Sequence, residues 1–349
     1  MKVVQIGDIA GVALELTRGL RALGLEANLL LMPKPGDPLP EHEPGVELIR
    51  SSVRALTHAR LTARLLTHYS NCNIFHAHSL YNIPLMLLHK LTLSHFHGSD
   101  LRESAAENSI IGRLLRRSMR HSRKIVVSTP DLLGNLKDFG IPAEKCIFLP
   151  NPIDVEKFRP RPSPVKLAGQ ERIKLFHPTR FQKIKGNEKL FYAYRQLQDK
   201  YPLSLHLVHD QRYSPELGRM LDLIEKLQLK QVYFLSPVEH AEMADYYNAS
   251  DIVLGQFSPY MVELVSLEAA ACAKPVVTSL IENDRSYPEF PPFRHAFTVE
   301  EIIESISWLI DNRNRWKEIG NKNRDWVIRH HAQEKICKRL SGIYAEISS

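Results

Sequence analysis

The chain has 349 residues, 44% hydrophobic and 24% charged, the balance of a folded protein too long for one core, so two domains are expected. No run of 18 apolar residues occurs, and Asp8 falls where a signal peptide would be apolar, so neither a membrane span nor secretion is expected. The net charge of +7 lies almost wholly in residues 1–165, with 21 Lys+Arg against 15 Asp+Glu, and points that half toward an anionic partner.

Strands and helices alternate along the chain. "MKVVQIGD" reads as a strand, 11–23 as a helix, "ANLLLMP" as a strand and 51–69 as a helix. "NIFHAHS" and "LTLSHFHGSD" follow as strands around a short helical stretch, then a helix near 105–123, "KIVVST", a helix at 130–139 and "CIFLPN". The proline-rich passage "FRPRPSPVKLAGQER" (158–172) reads as a linker. The alternation then restarts with "RIKLFHPT", 186–200, "LSLHLVHD", 214–228, "VYFLSP", 239–248, "DIVLGQF", 264–273 and "PVVTS", and amphipathic helices follow from 300. This predicts an α/β protein of two doubly wound parallel sheets, with a ligand at the carboxyl ends of strands in the cleft between them. Cys72, Cys146, Cys272 and Cys337 have no metal-ligand spacing and read as reduced thiols of a cytoplasmic protein.

Chemistry concentrates in the second half. After "IKLFHPT", Arg180 and Lys185 stand at a strand end and Gly186 opens a helix. Two cations beside free helix N–H groups suit a diphosphate, and a solvated basic loop is the plainer alternative. In "PYMVELVSLEAAACAKPVV" (259–277), Glu268 lies in a helix of small residues. It could accept both hydroxyls of a nucleotide ribose, or merely complement the helix dipole.

Taken in order, these segments resemble the family 4 (group 1) glycosyltransferases. "ASDIVLGQF…LEAAACAKPVV" is similar to the family signature and "HPTRFQKIKGNEKL" to its phosphate segment. "LPNPIDVEKF" matches a further family stretch at Asn151, Asp154 and Phe158, and "HFHGSD" resembles its His-Gly element. The resemblance implies a GT-B fold, with an acceptor-side N-terminal domain (1–160), a donor-side C-terminal domain (161–330) and a C-terminal helix (331–349) that can cross back to the first domain. It implies a retaining enzyme that moves a hexosyl or other sugar from a nucleotide-sugar donor to a glycan or lipid-linked glycan, as in cell-envelope polysaccharide synthesis.

Carried over by position, Arg180 and Lys185 hold the donor diphosphate and Glu268 the ribose. His97 faces the transferred sugar, Gly11 lies in the first strand–helix loop near donor and acceptor, and Gly98 and Asp100 fall on the acceptor side. The family's Glu-x7-Glu pair is broken here, because Tyr260 stands at the first glutamate. The N–H groups of Met261, Val262 and Glu263 remain to bind phosphate or sugar, and Glu263 is placed to replace the lost carboxylate in part. His209 stands where the family favours glycine. No Asp-x-Asp occurs, so no metal and no separate cofactor are expected, and the two cations would stabilise the leaving diphosphate themselves.

His76, His78, His95 and His97 form two His-x-His pairs on strands, for which local hydrogen bonding outweighs a zinc site. In "SIIGRLLRRSMRHSRK", Arg113, Arg116, Arg117, Arg120 and Lys124 fall on one stripe beside Ile110, Ile111, Leu114, Leu115 and Met119. Such a helix over 110–124 can lie on an anionic membrane surface, or pack on its own sheet with the arginines solvated. Nucleic acid is not expected as a partner, since no aromatics interleave the basic run. The competing readings are another GT-B enzyme, such as a sugar-nucleotide epimerase or a phosphorylase, and a nucleotide-sugar-binding scaffold that has lost catalysis.

Overall fold

The computed structural model describes residues 1–33, 43–50, 54–208, 214–258, 262–281 and 287–348. The chain divides into two compact units, Met1–Pro152 with Ala332–Ser349, and Ile153–His331. The junctions thus fall at 152/153 and 331/332, against the expected 160/161 and 330/331. The proline-rich passage is not a free linker. Arg161 donates to Asp245 Oδ1 from Nε (3.1 Å) and Nη2 (2.7 Å), and Ser163 Oγ donates to the Asp245 carbonyl at 2.8 Å, which pins the passage to the second unit.

The first unit runs β1 (Lys2–Ile6), α1 (Val12–Ala22), β2 (Glu26–Leu31), β3 (Val46–Leu48), α2 (Arg54–Thr67), β4 (Ile74–His78), α3 (Asn82–Leu87) and β5 (Leu93–Phe96). It continues with α4 (Ile110–His121), β6 (Lys124–Val127), α5 (Leu132–Asp138) and β7 (Cys146–Phe148). Its seven strands pair in the order β3-β2-β1-β4-β5-β6-β7, all parallel. β4 and β5 are buried along their whole length, the mark of central strands covered on both faces.

The second unit holds β8 (Ile173–His177), α6 (Asn187–Leu197), β9 (Leu203–Val208), α7 (Leu217–Lys226), β10 (Val232–Leu235), α8 (Met243–Ala249) and β11 (Ile252–Leu254). After these come α9 (Leu264–Ala271), β12 (Val276–Thr278), β13 (Arg294–His295), α10 (Val299–Asp311) and α11 (Trp316–His330). The sheet order is β10-β9-β8-β11-β12-β13, again parallel throughout. Its core joins the strands to α6 and α10 through Phe181, Phe191, Tyr194, Ile302 and Ile306.

The last helix, α12 (Gln333–Ser348), belongs to the first unit. Gln333 Nε2 donates to the Glu15 carbonyl at 2.9 Å and to its carboxylate at 2.7 Å. Gly19 of α1 permits the close approach, because a Cβ there would stand 2.4 Å from Cys337 Sγ. In both sheets the chain reverses direction beside the first strand, between β1 and β4 and between β8 and β11. Ligands of doubly wound sheets bind at such switch points, outside the carboxyl ends of the strands.

Candidate functional site

In the second unit, the loops after β8 and β11 meet at the switch point. Phe257 N donates to the Lys185 carbonyl at 2.9 Å, and Lys185 Nζ donates to Gln256 Oε1 at 2.8 Å. Gly186 caps α6 in the left-handed region (φ 71°), and a Cβ there would stand 2.5 Å from the Phe257 carbonyl oxygen, so only glycine lets the loops close this tightly. Beneath them, His177 Nδ1–H donates to the Leu254 carbonyl (2.9 Å) and its Nε2 accepts from Asn187 Nδ2 (2.9 Å). Burial pushes this imidazole down to about 4, which keeps it in that neutral form. The effect is to fix Asn187, and so the first turn of α6, at the switch point. Arg180 is exposed on the same loop.

Glu263 is the N-cap of α9, but its carboxylate turns inward. Oε1 accepts from Ser266 Oγ (2.6 Å) and Gln256 N (3.2 Å), and Oε2 accepts from Thr278 Oγ1 (3.3 Å). Burial raises its pKa, with the Ser266 hydrogen bond the main opposing influence. Glu263 therefore braces the loop after β11, and the expectation that it stands in for the lost sugar-side carboxylate finds no support in its orientation. Val262 beside it is buried. Tyr260 and Met261, like His209, lie outside the described residues.

Glu268 is buried within α9, its side chain 6% exposed. Oε1 accepts from His240 Nε2–H at 2.7 Å and Oε2 from the Tyr247 hydroxyl at 2.9 Å, while Lys157 Nζ donates to His240 Nδ1 at 3.2 Å. Each carboxylate oxygen thus already accepts one proton-bearing group, the demand that a vicinal diol would make on it. Desolvation, reinforced by this carboxylate, raises the Tyr247 phenol well above its ordinary range, so Tyr247 stays a donor. Asp154 closes the preceding turn through the N–H groups of Glu156 (3.0 Å) and Lys157 (2.9 Å).

In the first unit, Gly11 caps α1 at φ 80°, with open space where a Cβ would project. Asp8 Oδ1 accepts from Ala13 N at 2.8 Å, and burial lifts its carboxyl to about 6, close to neutrality. Asp100 spends its carboxylate on the turn after β5, accepting from His97 N (3.1 Å) and Gly98 N (2.8 Å). It therefore shapes the His97–Gly98 element and is not turned out toward an acceptor.

His97 does not stand free. Its Nδ1 lies 2.9 Å from Ser128 Oγ and its Nε2 2.9 Å from His78 Nδ1. Among the described residues, His76, His78 and His95 are the group whose spacing could suit a metal, their ligand atoms lying within 4.8 Å of one another. The rings of His76 and His78 are stacked 4.4 Å apart at 24°, and every ring nitrogen of the three already has a hydrogen-bond partner, so local hydrogen bonding accounts for the arrangement.

The basic helix is shorter than expected: α4 ends at His121, and Lys124 begins β6, paired with Glu346 at 2.7 Å. Leu115 and Met119 are buried in the core, and Arg116 donates to the carbonyls of Ala105 and of Glu107 (3.1 Å). Ile110 and Ile111 remain 70% and 51% exposed beside the exposed Arg113 and Arg117. Among the described residues, no helix is long and apolar enough to cross a membrane.

Models for Glycosyltransferase Family 4 and for glycosyl transferase-like proteins match residues 9–157 and 191–341. The chain belongs to the family 4 glycosyltransferases. A D-inositol 3-phosphate glycosyltransferase of Kineococcus radiotolerans is 28% identical over 163 residues, 42% of this chain and 37% of that protein. The chain thus spans little more than a third of the length of the curated relative it matches. The sucrose-phosphate synthase of Thermosynechococcus elongatus has the same fold, with a TM-score of 0.79 at 17% identity over 99% of both chains. Anabaena HepE, solved with UDP and glucose, gives 0.78 at 17% identity over 99% of this chain and 100% of that one. These likenesses establish the GT-B fold for this glycosyltransferase.

Reading the sequence alone missed the partners that hold the site. Tyr247 and His240 were not paired with Glu268, nor Gln5, Ser128 and Tyr344 with the histidines. The His-x-His pattern on β4 and β5 was a visible signal. Tyr344 lies 268 positions from His76, and only the return of α12 brings the two together.

Proposed function

We propose that this glycosyltransferase is a retaining, metal-independent enzyme that moves a hexosyl group from a nucleotide-sugar to a glycan or lipid-linked glycan. The observation that carries the reading is the switch-point loop of the second unit, where Lys185 and the N-terminus of α6 meet the loop after β11. The N-terminal amides of α6 and the ammonium of Lys185 form an anion site, and Arg180 on the same loop can grip phosphate oxygens. Glu268, on α9 after the same β11 loop, receives the ribose hydroxyls in place of His240 and Tyr247. HepE, solved with UDP-glucose, supports a UDP-sugar as donor.

In transfer, the bond from the anomeric carbon to the diphosphate oxygen breaks while the acceptor oxygen bonds to the same face of that carbon. The acceptor's proton passes to the departing diphosphate. Arg180 and Lys185 stabilise the charge that develops there, a contribution of roughly 3 kcal/mol for one well-placed donor. The exposed Ile110, Ile111, Arg113 and Arg117 support an anionic membrane surface as the place where a lipid-linked acceptor is met.

Water serves as a slow surrogate acceptor in the test. With UDP-, GDP- and ADP-sugars labelled with 13C at the anomeric carbon, the sugar released first is expected to keep the donor's anomeric configuration by NMR. Release of the opposite anomer contradicts retention, and an isomerised nucleotide-sugar identifies an epimerase instead. Sedimentation with phosphatidylglycerol vesicles, expected for the native chain and weakened by Arg113→Glu with Arg117→Glu, tests the surface. Equal sedimentation with phosphatidylcholine vesicles contradicts it.

A further inference from the structure

The histidines of β4, of β5 and of the turn after β5 lie on a single hydrogen-bonded line within the first unit. From one end the contacts are Tyr344 Oη to His76 Nδ1 (2.7 Å), His76 Nε2 to His95 Nδ1 (3.2 Å) and His95 Nε2 to Ser128 Oγ (3.0 Å). They continue from Ser128 Oγ to His97 Nδ1 (2.9 Å), from His97 Nε2 to His78 Nδ1 (2.9 Å) and from His78 Nε2 to Gln5 Oε1 (3.0 Å). Gln5 Nε2 then reaches Thr17 Oγ1 (2.8 Å), which reaches the Ala13 carbonyl (2.8 Å). Gln5, Thr17, His76, His78 and Ser128 are almost wholly buried, so no solvent completes their bonding.

The positions of the protons follow from the far end. The Ala13 carbonyl can only accept, so the Thr17 hydroxyl donates to it and must accept from the amide nitrogen of Gln5. This turns Gln5 Oε1 toward His78, whose Nε2 must therefore carry a proton. In a neutral ring Nδ1 is then bare and accepts from His97 Nε2–H. The same step repeats through the Ser128 hydroxyl, His95 and His76, and ends with the Tyr344 hydroxyl donating to His76 Nδ1. Each contact receives one proton, every histidine is the Nε2–H tautomer, and all the donors point the same way. Burial supplies the neutrality the order requires, holding His76 at about 3 and His97 at about 4.

We propose that this line is a proton-ordered relay of hydrogen bonds in which Thr17 and Gln5, acting through His78, lock His97 in its Nε2–H form, and Ser128 passes the same order on to His95 and His76. Both nitrogens of His97 are then committed within the first unit. The residue offers the sugar a fixed ring edge and backbone rather than a base. Any link between the lock and transfer rests on the reading of His97 as the sugar-side residue, whereas the order of the protons does not.

The test is two-bond 15N–1H NMR of the imidazole rings at pH 7, assigned with single His→Asn variants. Native protein is expected to show the Nε2–H pattern at His76, His78, His95 and His97. Ser128→Ala, which cuts the line beyond His97, is expected to leave His97 as Nε2–H but to give His95 a mixed or Nδ1–H pattern, and Ser128→Thr to restore it. Gln5→Leu, which removes the acceptor of His78 Nε2–H, is expected to give His78 and His97 a mixed or Nδ1–H pattern, and serves if Ser128→Ala fails to fold. An Nδ1–H pattern at any of the four native histidines overturns the proposal, as does an unchanged His95 in Ser128→Ala together with an unchanged His97 in Gln5→Leu. In the same Gln5→Leu protein, kcat is expected to fall about tenfold with the donor KM unchanged, the scale of a lost orienting partner. A shifted tautomer with unchanged kcat keeps the relay and removes His97 from the sugar side.

Discussion

Lys185→Ala is expected to lower kcat by about 10²–10³ while moving KM for the nucleotide-sugar far less. The negative charge on the diphosphate grows as its bond to the sugar breaks, so a fixed cation interacts more strongly with the transition state than with the bound donor. Lys185 is suited to this by how it is held. Its ammonium rests on Gln256 Oε1 at 2.8 Å, and the Gln256 N–H is itself fixed by the Glu263 carboxylate at 3.2 Å. The charge is thus in place before the donor arrives. Removing it leaves the Phe257 N–H still bonded to the backbone carbonyl of residue 185, so the loop should keep its shape. Lys185→Arg is expected to recover part of the loss, since a planar guanidinium keeps the charge but not the point geometry. Steady-state kinetics of both variants checks this, and an unchanged kcat in Lys185→Ala would remove Lys185 from the diphosphate site.

Acid is expected to unfold the first unit well above the pH at which carboxylates are lost. In the unfolded chain histidine titrates near 6.5, whereas burial holds folded His76 at about 3 and His97 at about 4, with His78 and His95 also well below the ordinary value. Asp100 pulls weakly the other way at His97. Between pH 6.5 and about 4 the unfolded state therefore binds more protons than the folded one. Stability rises with pH across that window and falls as the solution is acidified. Each such histidine costs about 2 kcal/mol on going from pH 6.5 to 5. Together they approach the ~5–15 kcal/mol that typically separates folded from unfolded chains. Asp8 offsets part of this, because its folded carboxyl sits at about 6 and takes up a proton before the unfolded one does. Urea midpoints at pH 7, 6 and 5 should drop steeply, with no comparable drop between pH 8 and 7. A flat series over pH 7 to 5 would show that the histidines are not buried as neutral rings.

The two sheets were legible because their strands are apolar runs spaced by helices of regular length, and β1, β4, β8 and β11 fall on the segments expected of them. β3 and β13 were not legible, since three residues such as Val46–Leu48 and two at Arg294–His295 are too few for any period to show. Arg180, Lys185 and Glu268 could be singled out in the sequence because residue type and position relative to a strand end already constrain their chemistry. Their orientation was not. Glu263 read as a spare sugar-side carboxylate, yet the serine and threonine that draw it inward, Ser266 and Thr278, become its neighbours only when β11, α9 and β12 pack. The arginine stripe divided for a similar reason: Arg116 is consumed by backbone carbonyls left open before α4, a demand that side-chain periodicity does not display.

The nucleotide-sugar site proposed for the second unit is built on Lys185 and Glu268. The most direct test is thermal stabilisation by UDP, GDP, ADP and their sugars, measured on the native chain and on Glu268→Ala. One nucleotide series should stabilise the native protein, by about 2.7 kcal/mol at ~100 times its dissociation constant. That gain should be largely lost in Glu268→Ala. No stabilisation by any member, or an equal gain in the variant, would contradict the site.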